Sequence, residues 1–584
     1  MRTGAHLLAA VSIAATLATG TARAGSGVVA AENAIAAEVG IAVLDEGGSA
    51  VDAAIATSLA ACVVHATSCG IGGGGFMIVW DAAGKKGYAL DYREVAPAAV
   101  AEALYLEDGQ YIPARSQKGP HAVGVPGEIA GLAAAHDRFG RLPWRRLVEP
   151  AARLAREGFP TTAHMARKLA SERDGLARDP ELSRLLLRED GSAPAEGETL
   201  RLSALADTLD AVAAGGPDAF YTGAIARSIA QSVQGAGGVM TEKDLAAYEP
   251  VWREPLTTSY RGSTVLTMPP PSAGGTALVL ALDTLSGMDV KALGPTSPER
   301  WHVFAEILQH AFADRAVGAG DPAFDEPLPR ADGAALRRRI DREKTLAAKF
   351  YGTTAASAGP SAPPPDDAGT GHISVIAPDG SAVAATTTIN TAFGAQLGAR
   401  GSGVILNNEL DDFSFPAPNL FGLAPGRTNH IAPGKRPASS MTPTVAVREG
   451  RAVVSVGASG GPLIISSTLE VLTNVLDFDM PPEAAVAAPR IHHQWQPQLL
   501  LVEPGVGPAD RKTLEALGHE IREIPGVAAV SLATAFPAQG PAGAGDPRKG
   551  GAARVGNRGD RSQDECQDVE DGKPGPPEAV EAPL

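Results

Sequence analysis

Two threonines, Thr370 and Thr388, flank an Asp379-Gly380 pair in the stretch "TGHISVIAPDGSAVAATTTIN". A threonine hydroxyl is a weak nucleophile and needs a base beside it. A chain-terminal threonine carries its own, because a free α-amine titrates near about 8. Asp-Gly between strand-like runs predicts a hairpin with a two-residue turn. Such a turn puts Thr370 opposite Ile389; one residue of bulge puts it opposite Thr388. Either register sets the Thr388 hydroxyl next to Thr370. Just upstream, residues 355–369 read "AASAGPSAPPPDDAG", a low-complexity segment expected to be mobile. Cutting Gly369–Thr370 would create the amine at a strand's edge and leave the other new end free to withdraw. The joint reads as a self-cleavage site, and the plain alternative is a surface loop before an ordinary threonine.

A second nucleophile competes. Gly457-Ala458-Ser459-Gly460-Gly461 satisfies G-x-S-x-G between a strand-like and a helix-like run, with His492 and His519 downstream as partners. The strand–helix alternation which that hydrolase fold demands is missing around it. "GIGGGG" (Gly70–Gly75) lacks the Lys-Ser/Thr of a phosphate-binding loop and the spacing of a dinucleotide fingerprint, so its glycines read as sites of close backbone packing. No HExxH or paired CxxC occurs, His492-His493 reads as structural, and neither a metal nor an organic cofactor is expected.

Around these residues the chain divides in character. From Asn33 an apolar helical pattern stops at Gly47-Gly48, and Ser49 with Asp52 fits a capping box opening a second, Ala-rich helix. Residues 127–250 look mostly helical, Thr241 opens a further helix, and residues 301–316 read as an amphipathic helix. After Thr370 strands dominate, and a polar, charged tail from about residue 556 is expected to be disordered. At 584 residues the chain could hold two to four domains or one large one. A net charge of −16 argues against nucleic acid as a partner. The start "MRTGAHLLAAVSIAATLATGTARAGS" has a basic end, a short apolar run and Ala22-Arg23-Ala24, which together read as a secretory signal over residues 1–24. That run is too short for a stable membrane span, so a periplasmic or secreted protein is expected. Three cysteines, Cys62, Cys69 and Cys566, form no disulfide framework, and the first two read as buried small hydrophobes.

Ten segments in one order carry a resemblance: "GGSAVDAAIA", "GIGGGGFM", "DYREVAP", "GVPGEIAGL", "FGRLPW", "TGHISV", "NNELDDFS", "GKRPASSMTPT", "GASGGPLIISS" and "APRIHHQW". From about Gly27 to Val555 the chain resembles the γ-glutamyltransferase family of N-terminal-nucleophile hydrolases. The resemblance implies an α+β fold, a four-layer αββα sandwich, built jointly by a large chain (25–369) and a small chain (370–584) after self-cleavage. It implies Thr370 as nucleophile, Thr388 as its hydroxyl partner, and the Gly460 and Gly461 N–H groups as an oxyanion hole. Arg93, with Ser439 and Ser440, would meet the α-carboxylate of a γ-glutamyl donor, and Asn390, Glu409 and Asp412 its α-ammonium. Glutathione-like donors, with water or an amino-acid or peptide acceptor, are the implied partners. A related acylase acting on glutaryl-type side chains, and a non-maturing binding protein of the same fold, are the alternatives. The sequence departs from the family at Gly371, where relatives carry a hydroxylated residue, and at Phe421, where several place a Tyr. Residues 413–434 are long enough for a lid.

Overall fold

A computed structural model of the chain describes residues 26–352, 369–416, 419, 421 and 428–556. The expected leader, nearly all of the low-complexity joint, the tail beyond Gly556 with Cys566, and much of the expected lid lie outside the described residues. Cys62 and Cys69 are both free and buried.

Thirteen strands form two central sheets, and we number them in chain order. The first sheet contains β1 (Val28–Ala31), β2 (Gly74–Asp81), β3 (Lys86–Tyr92) and β4 (Val251–Arg253). The second begins with β5 (Leu256–Tyr260) and β6 (Ser263–Thr267). After the joint, β7 (Gly369–Ile376) and β8 (Ala382–Asn390) return to the first sheet. β9 (Thr444–Arg448), β10 (Arg451–Ser459), β11 (Ala529–Phe536) and β12 (Gly540–Gly545) join the second, and β13 (Ala552–Val555) closes the edge of the first. The orders are β13-β1-β7-β8-β2-β3-β4 and β12-β11-β10-β9-β6-β5. Each sheet therefore contains strands from both sides of Gly369. The helix-rich and strand-rich halves seen in the sequence are interleaved in space.

Period-two alternation separates the layers. Met77 and Val79 of β2 and Val375 of β7 pack into one core with helices α1 (Ala34–Asp45) and α2 (Ala50–Val64). Phe76, Ile78 and Ile376 face a second core, shared with β10, α3 (Ala273–Leu285), α4 (Pro298–Gly318) and α5 (Leu463–Phe478). The result is helices, sheet, sheet, helices: the expected αββα sandwich. The two capping signals hold. Asn33 caps α1, and Ser49 with Asp52 forms the capping box of α2.

Two expectations are corrected. The hairpin closes through three residues, Pro378-Asp379-Gly380, with Ala377 N–H donating to Ser381 O and Gly380 at φ +89°. That is the turn-plus-left-handed-glycine loop, and it shifts the register by one residue from the two-residue turn. Helix α4 is not amphipathic: Arg300 through Arg315 are buried without interruption. Its polar residues have internal partners instead. Arg300 donates to Thr473 Oγ1 at 2.9 Å, His302 shares a proton with His519 at 2.7 Å, and Glu306 accepts from the Tyr351 hydroxyl at 2.8 Å.

Between the sheets, His372 on β7 is fully enclosed, bonded to Thr386 Oγ1 at 2.7 Å and to Ser374 Oγ at 3.1 Å. Burial drives it down to about 3, so it is neutral at physiological pH. The ring fits because β10 carries Gly457 opposite it, where a Cβ would come within 2.3 Å of His372 Cε1. A ring held by two hydrogen bonds does not swing aside easily. Gly457→Ala should therefore overpack the inter-sheet core and cost about 1–3 kcal/mol, read as a lowered apparent melting temperature of the purified chain.

Candidate active site

The register of β7 on β8 assembles the site. Thr370 pairs with Thr388, and the ladder slips between Gly369 and Thr370, leaving a bulge at that peptide bond. Three consecutive threonines of β8 serve three surroundings. Thr386 faces the inter-sheet space and His372, while Thr387 faces the α2 side and donates to Glu128 at 2.7 Å. Thr388 Oγ1 lies 3.2 Å from Thr370 Oγ1, donates to Gly369 O at 2.7 Å, and accepts from Asn390 N–H at 2.8 Å. With its one hydrogen on the Gly369 carbonyl, Thr388 must accept from the Thr370 hydroxyl. Gly73 allows the neighbouring strand start to sit this close, since a Cβ there would fall 1.9 Å from Thr388 O. The glycine cluster is packing, as its sequence suggested. At Gly371 a Cβ would meet Cys69 Sγ at 3.6 Å and Thr387 Cγ2 at 3.9 Å, ordinary contacts, so space does not require glycine there.

Asn390, at the end of β8, has φ +76°, a conformation that asparagine tolerates better than most residues, and its Nδ2 donates to Asn408 O at 2.9 Å. Asn408 belongs to the turn that carries the carboxylates: Glu409–Asp412 is a single 3-10 turn, and Asn407 pins its start by accepting from the Glu409 and Gly124 N–H groups. Arg93, just past β3, reaches both carboxylates. Its Nη1 donates to Glu409, its Nη2 to Asp412 and to Ala438 O at 2.8 Å, and its Nε to Pro437 O at 3.3 Å. Burial pushes Glu409 up to about 8 and raises Asp412, with Arg93 opposing both shifts. Burial alone would lower Arg93, but Glu409 and Asp412 more than reverse it and keep the guanidinium charged.

One pocket is lined by Thr370, Thr388, Asn390, Arg93, Glu409, Asp412, Ser439, Ser440 and Gly461. The cavity has room for about one water, about 20 Å³. Gly460 adjoins the wall at φ +136°, followed by Gly461 at φ +58° and by α5. Phe421 also lines the pocket, while Phe413 and Phe415 from the start of the expected lid pack against Tyr105.

Ser459 stands elsewhere. It is fully buried and accepts from Lys549 Nζ at 3.0 Å. Its supposed partners are engaged with other groups, His492 with Ser466 at 2.9 Å and His519 with His302. The Ser–His reading of the pentapeptide has no geometry behind it. Sequence reasoning missed one polar wall residue, Arg315, on the last turns of α4, where nothing in the local sequence sets it apart from the helix's other polar positions.

A family profile described as Gamma-glutamyltranspeptidase matches residues 36–556. The chain is 39% identical over 503 residues to the "Glutathione hydrolase proenzyme" of Escherichia coli (strain K12), covering 85% of this chain and 86% of that one. It is 40% identical over 484 residues to "Glutathione hydrolase 2" of Arabidopsis thaliana, covering 81% of each. Among solved structures, cephalosporin acylase from Bacillus halodurans superposes with a TM-score of 0.79 at 26% identity, over 93% of this chain and 99% of that chain. Helicobacter pylori gamma-glutamyltranspeptidase gives 0.53 at 33% identity, over 55% of this chain and 93% of that chain.

Removing the guanidinium at the centre of the pocket would leave two buried carboxylates facing each other. Arg93→Met should cost about 3–5 kcal/mol of stability, seen as a large drop in melting temperature. An unchanged melting temperature would mean that the pair adds no net stability.

Proposed function

The chain belongs to the gamma-glutamyltranspeptidase family of N-terminal-nucleophile hydrolases, and from that premise we propose an exported, self-maturing enzyme that cleaves glutathione-like γ-glutamyl donors through an ester on Thr370. It is a γ-glutamyl hydrolase/transpeptidase; export, the self-cleavage and the ester are our reading. Export follows from the leader read in residues 1–24.

The observation that carries the reading is the Thr388 hydroxyl, placed between the Thr370 hydroxyl and the Gly369 carbonyl oxygen at the bulged bond. In maturation, Thr370 Oγ1 attacks the Gly369 carbonyl carbon, and its proton has an acceptor in Thr388 Oγ1. Charge develops on Gly369 O, which already receives the Thr388 hydrogen. The proton passes on to the Thr370 nitrogen, the C–N bond breaks, Gly369 passes to the oxygen as an ester, and the α-amine of Thr370 is freed. Water then hydrolyses the ester and leaves a Gly369 carboxylate.

In turnover the freed amine acts as the base, and Thr370 Oγ1 attacks the γ-carbonyl of the donor. The N–H groups of Gly460 and Gly461, at the positive end of α5, meet the oxyanion. The amine leaving group departs with the proton, and water or an acceptor amine resolves the γ-glutamyl ester. The donor's ammonium goes to Asn390, Glu409 and Asp412. Its carboxylate goes to Ser439, Ser440 and Arg93.

The related acylase reading has a fold-level observation behind it, the close superposition on cephalosporin acylase. A glutaryl group has no ammonium, so the buried acceptors Glu409 and Asp412 favour the γ-glutamyl donor.

Two measurements test the proposal. Intact mass of the purified protein should show two fragments split between Gly369 and Thr370, and a single chain for Thr370→Ala. A persistently uncut wild type would remove the base this mechanism needs. Wild type should also turn over γ-glutamyl anilide with a kcat/KM at least about tenfold above glutaryl anilide, since hydrogen bonds to a charged group contribute about 1.5–3 kcal/mol. Glu409→Gln should narrow that gap, and an equal or better glutaryl rate in the wild type would favour the acylase.

A further inference from the structure

Helix α4 carries His302 and Glu306 one turn apart on one face, both buried. His519 reaches the same point from a turn 217 residues beyond His302, just past the helix Pro508–Ala516. His302 Nδ1 and His519 Nε2 lie 2.7 Å apart, and one ligand-capable atom from each of the three residues falls within 4.8 Å of the others. No sequence motif marks the trio, because its third member is so distant in the chain.

Two of the three are held from behind. The Asp341 carbonyl only accepts, so His302 donates its Nε2 hydrogen there at 2.8 Å, and burial holds the ring below the usual histidine range. Its Nδ1 lone pair is left facing His519. Giving the far N–H to a carbonyl is the usual posture of a metal-ligating histidine. Glu306 accepts from the Tyr351 hydroxyl at 2.8 and 2.9 Å and from Gln309 Nε2 at 3.1 Å. Among the described residues no Lys or Arg lies within ion-pair distance of it, and a carboxylate this deeply buried is costly unless a positive charge meets it. We infer that His302, Glu306 and His519 form a binding site for one divalent transition-metal ion, zinc by its donor set of two imidazoles and a carboxylate.

Zinc takes the place of the proton that the two rings share. Its bonds to nitrogen, about 2.0–2.1 Å, set tetrahedral donors about 3.3 Å apart, so the rings separate by about half an ångström and the carboxylate closes in. The fourth position falls to water. His519 and Thr345 border a cavity of about 420 Å³ whose rim includes the exposed Lys344 and Ala347, a route for the ion from solvent. The ion fastens α4, which precedes Gly369, to a segment that follows it, so its role is structural. The pocket at Thr370 shares none of these residues, and the inference is independent of the γ-glutamyl reading. A plain hydrogen bond from His519 to His302 is the competing use of the pair.

The untagged full chain, stripped with a chelator, is titrated with zinc chloride by calorimetry. Wild type should bind one zinc per chain with a Kd below about 1 µM. Loaded with cobalt(II) instead, it should show the intense visible absorption of a tetrahedral site. His519→Gln and Glu306→Gln should each weaken zinc at least about a hundredfold, and Tyr351→Phe, which only orients Glu306, about 10–100-fold. Zinc should also raise the melting temperature of the wild type and leave that of His519→Gln unchanged. If the ligand variants fail to fold, zinc-edge X-ray absorption of the wild type decides, with two imidazoles and a carboxylate oxygen in a four-coordinate shell as the expected result. No bound zinc, binding that the substitutions leave unchanged, or a shell without histidine overturns the proposal and leaves the pair as a hydrogen bond in the core.

Discussion

Everything at the site depends on one backbone constraint, the register of β7 on β8. Side chains on a strand alternate, so a slip of one residue would exchange every group facing the helices for one facing the other sheet. The three-residue turn at Pro378-Asp379-Gly380 sets that register, and the bulge at Gly369 absorbs the extra residue at the far end. Between them, Thr386 meets His372, Thr387 meets Glu128 and Thr388 meets Thr370. The run of threonines is thus three separate requirements for a small hydroxyl in a tightly packed sheet. β-Branched residues suit that setting for their strand geometry as well.

The second constraint is electrostatic. Glu409, Asp412, Arg93 and Arg315 are removed from water within one small pocket. Each charge alone would be strongly disfavoured there, and the group persists because opposite signs touch and the turn at Glu409–Asp412 is anchored by Asn407 and Asn408. Arg93 does two things at once: it neutralises the carboxylates and ties the turn after β8 to the Pro437–Ala438 segment beside Ser439 and Ser440. The walls that would hold an amino-acid end are thereby fastened to each other before any ligand arrives.

Much of this was legible in the sequence, and the reasons differ by residue. Thr370 and Thr388 could be paired because a hairpin is local and its turn residues signal it. The glycine cluster could be read as close packing because no phosphate-binding pattern competed. Arg93, Glu409 and the serines came from ordered motifs, which carry spatial information that composition lacks. What stayed hidden depends on contacts between distant segments. Helix α4 looked amphipathic because its charged and histidine positions suggest solvent, yet Thr473, His519 and Tyr351 satisfy them from elsewhere in the fold. Arg315 was hidden for the same reason, since nothing near it in the chain announces Ser440. Gly457 fitted a nucleophile motif, and only the opposite sheet reveals that its missing side chain makes room for His372.

The superposition on an acylase and the sequence kinship with glutathione hydrolases point to one scaffold used with different acyl groups. In the proposed mechanism the strand pairing and the Thr370–Thr388 contact would serve any of these substrates, because there they act on the carbonyl under attack and not on what lies beyond it. Discrimination must come from the far wall, where the acyl group ends. In this chain that wall holds Glu409 and Asp412 paired with Arg93, with Arg315 on the same pocket wall, an arrangement that would suit a dipolar end carrying both signs better than one carrying a single charge. An acyl group with only a carboxylate would leave Glu409 and Asp412 as unmatched buried anions once it drew Arg93 or Arg315 toward itself. On the proposed γ-glutamyl donor, selectivity would follow from charge balance in a buried pocket, set by the side chains that the sandwich carries.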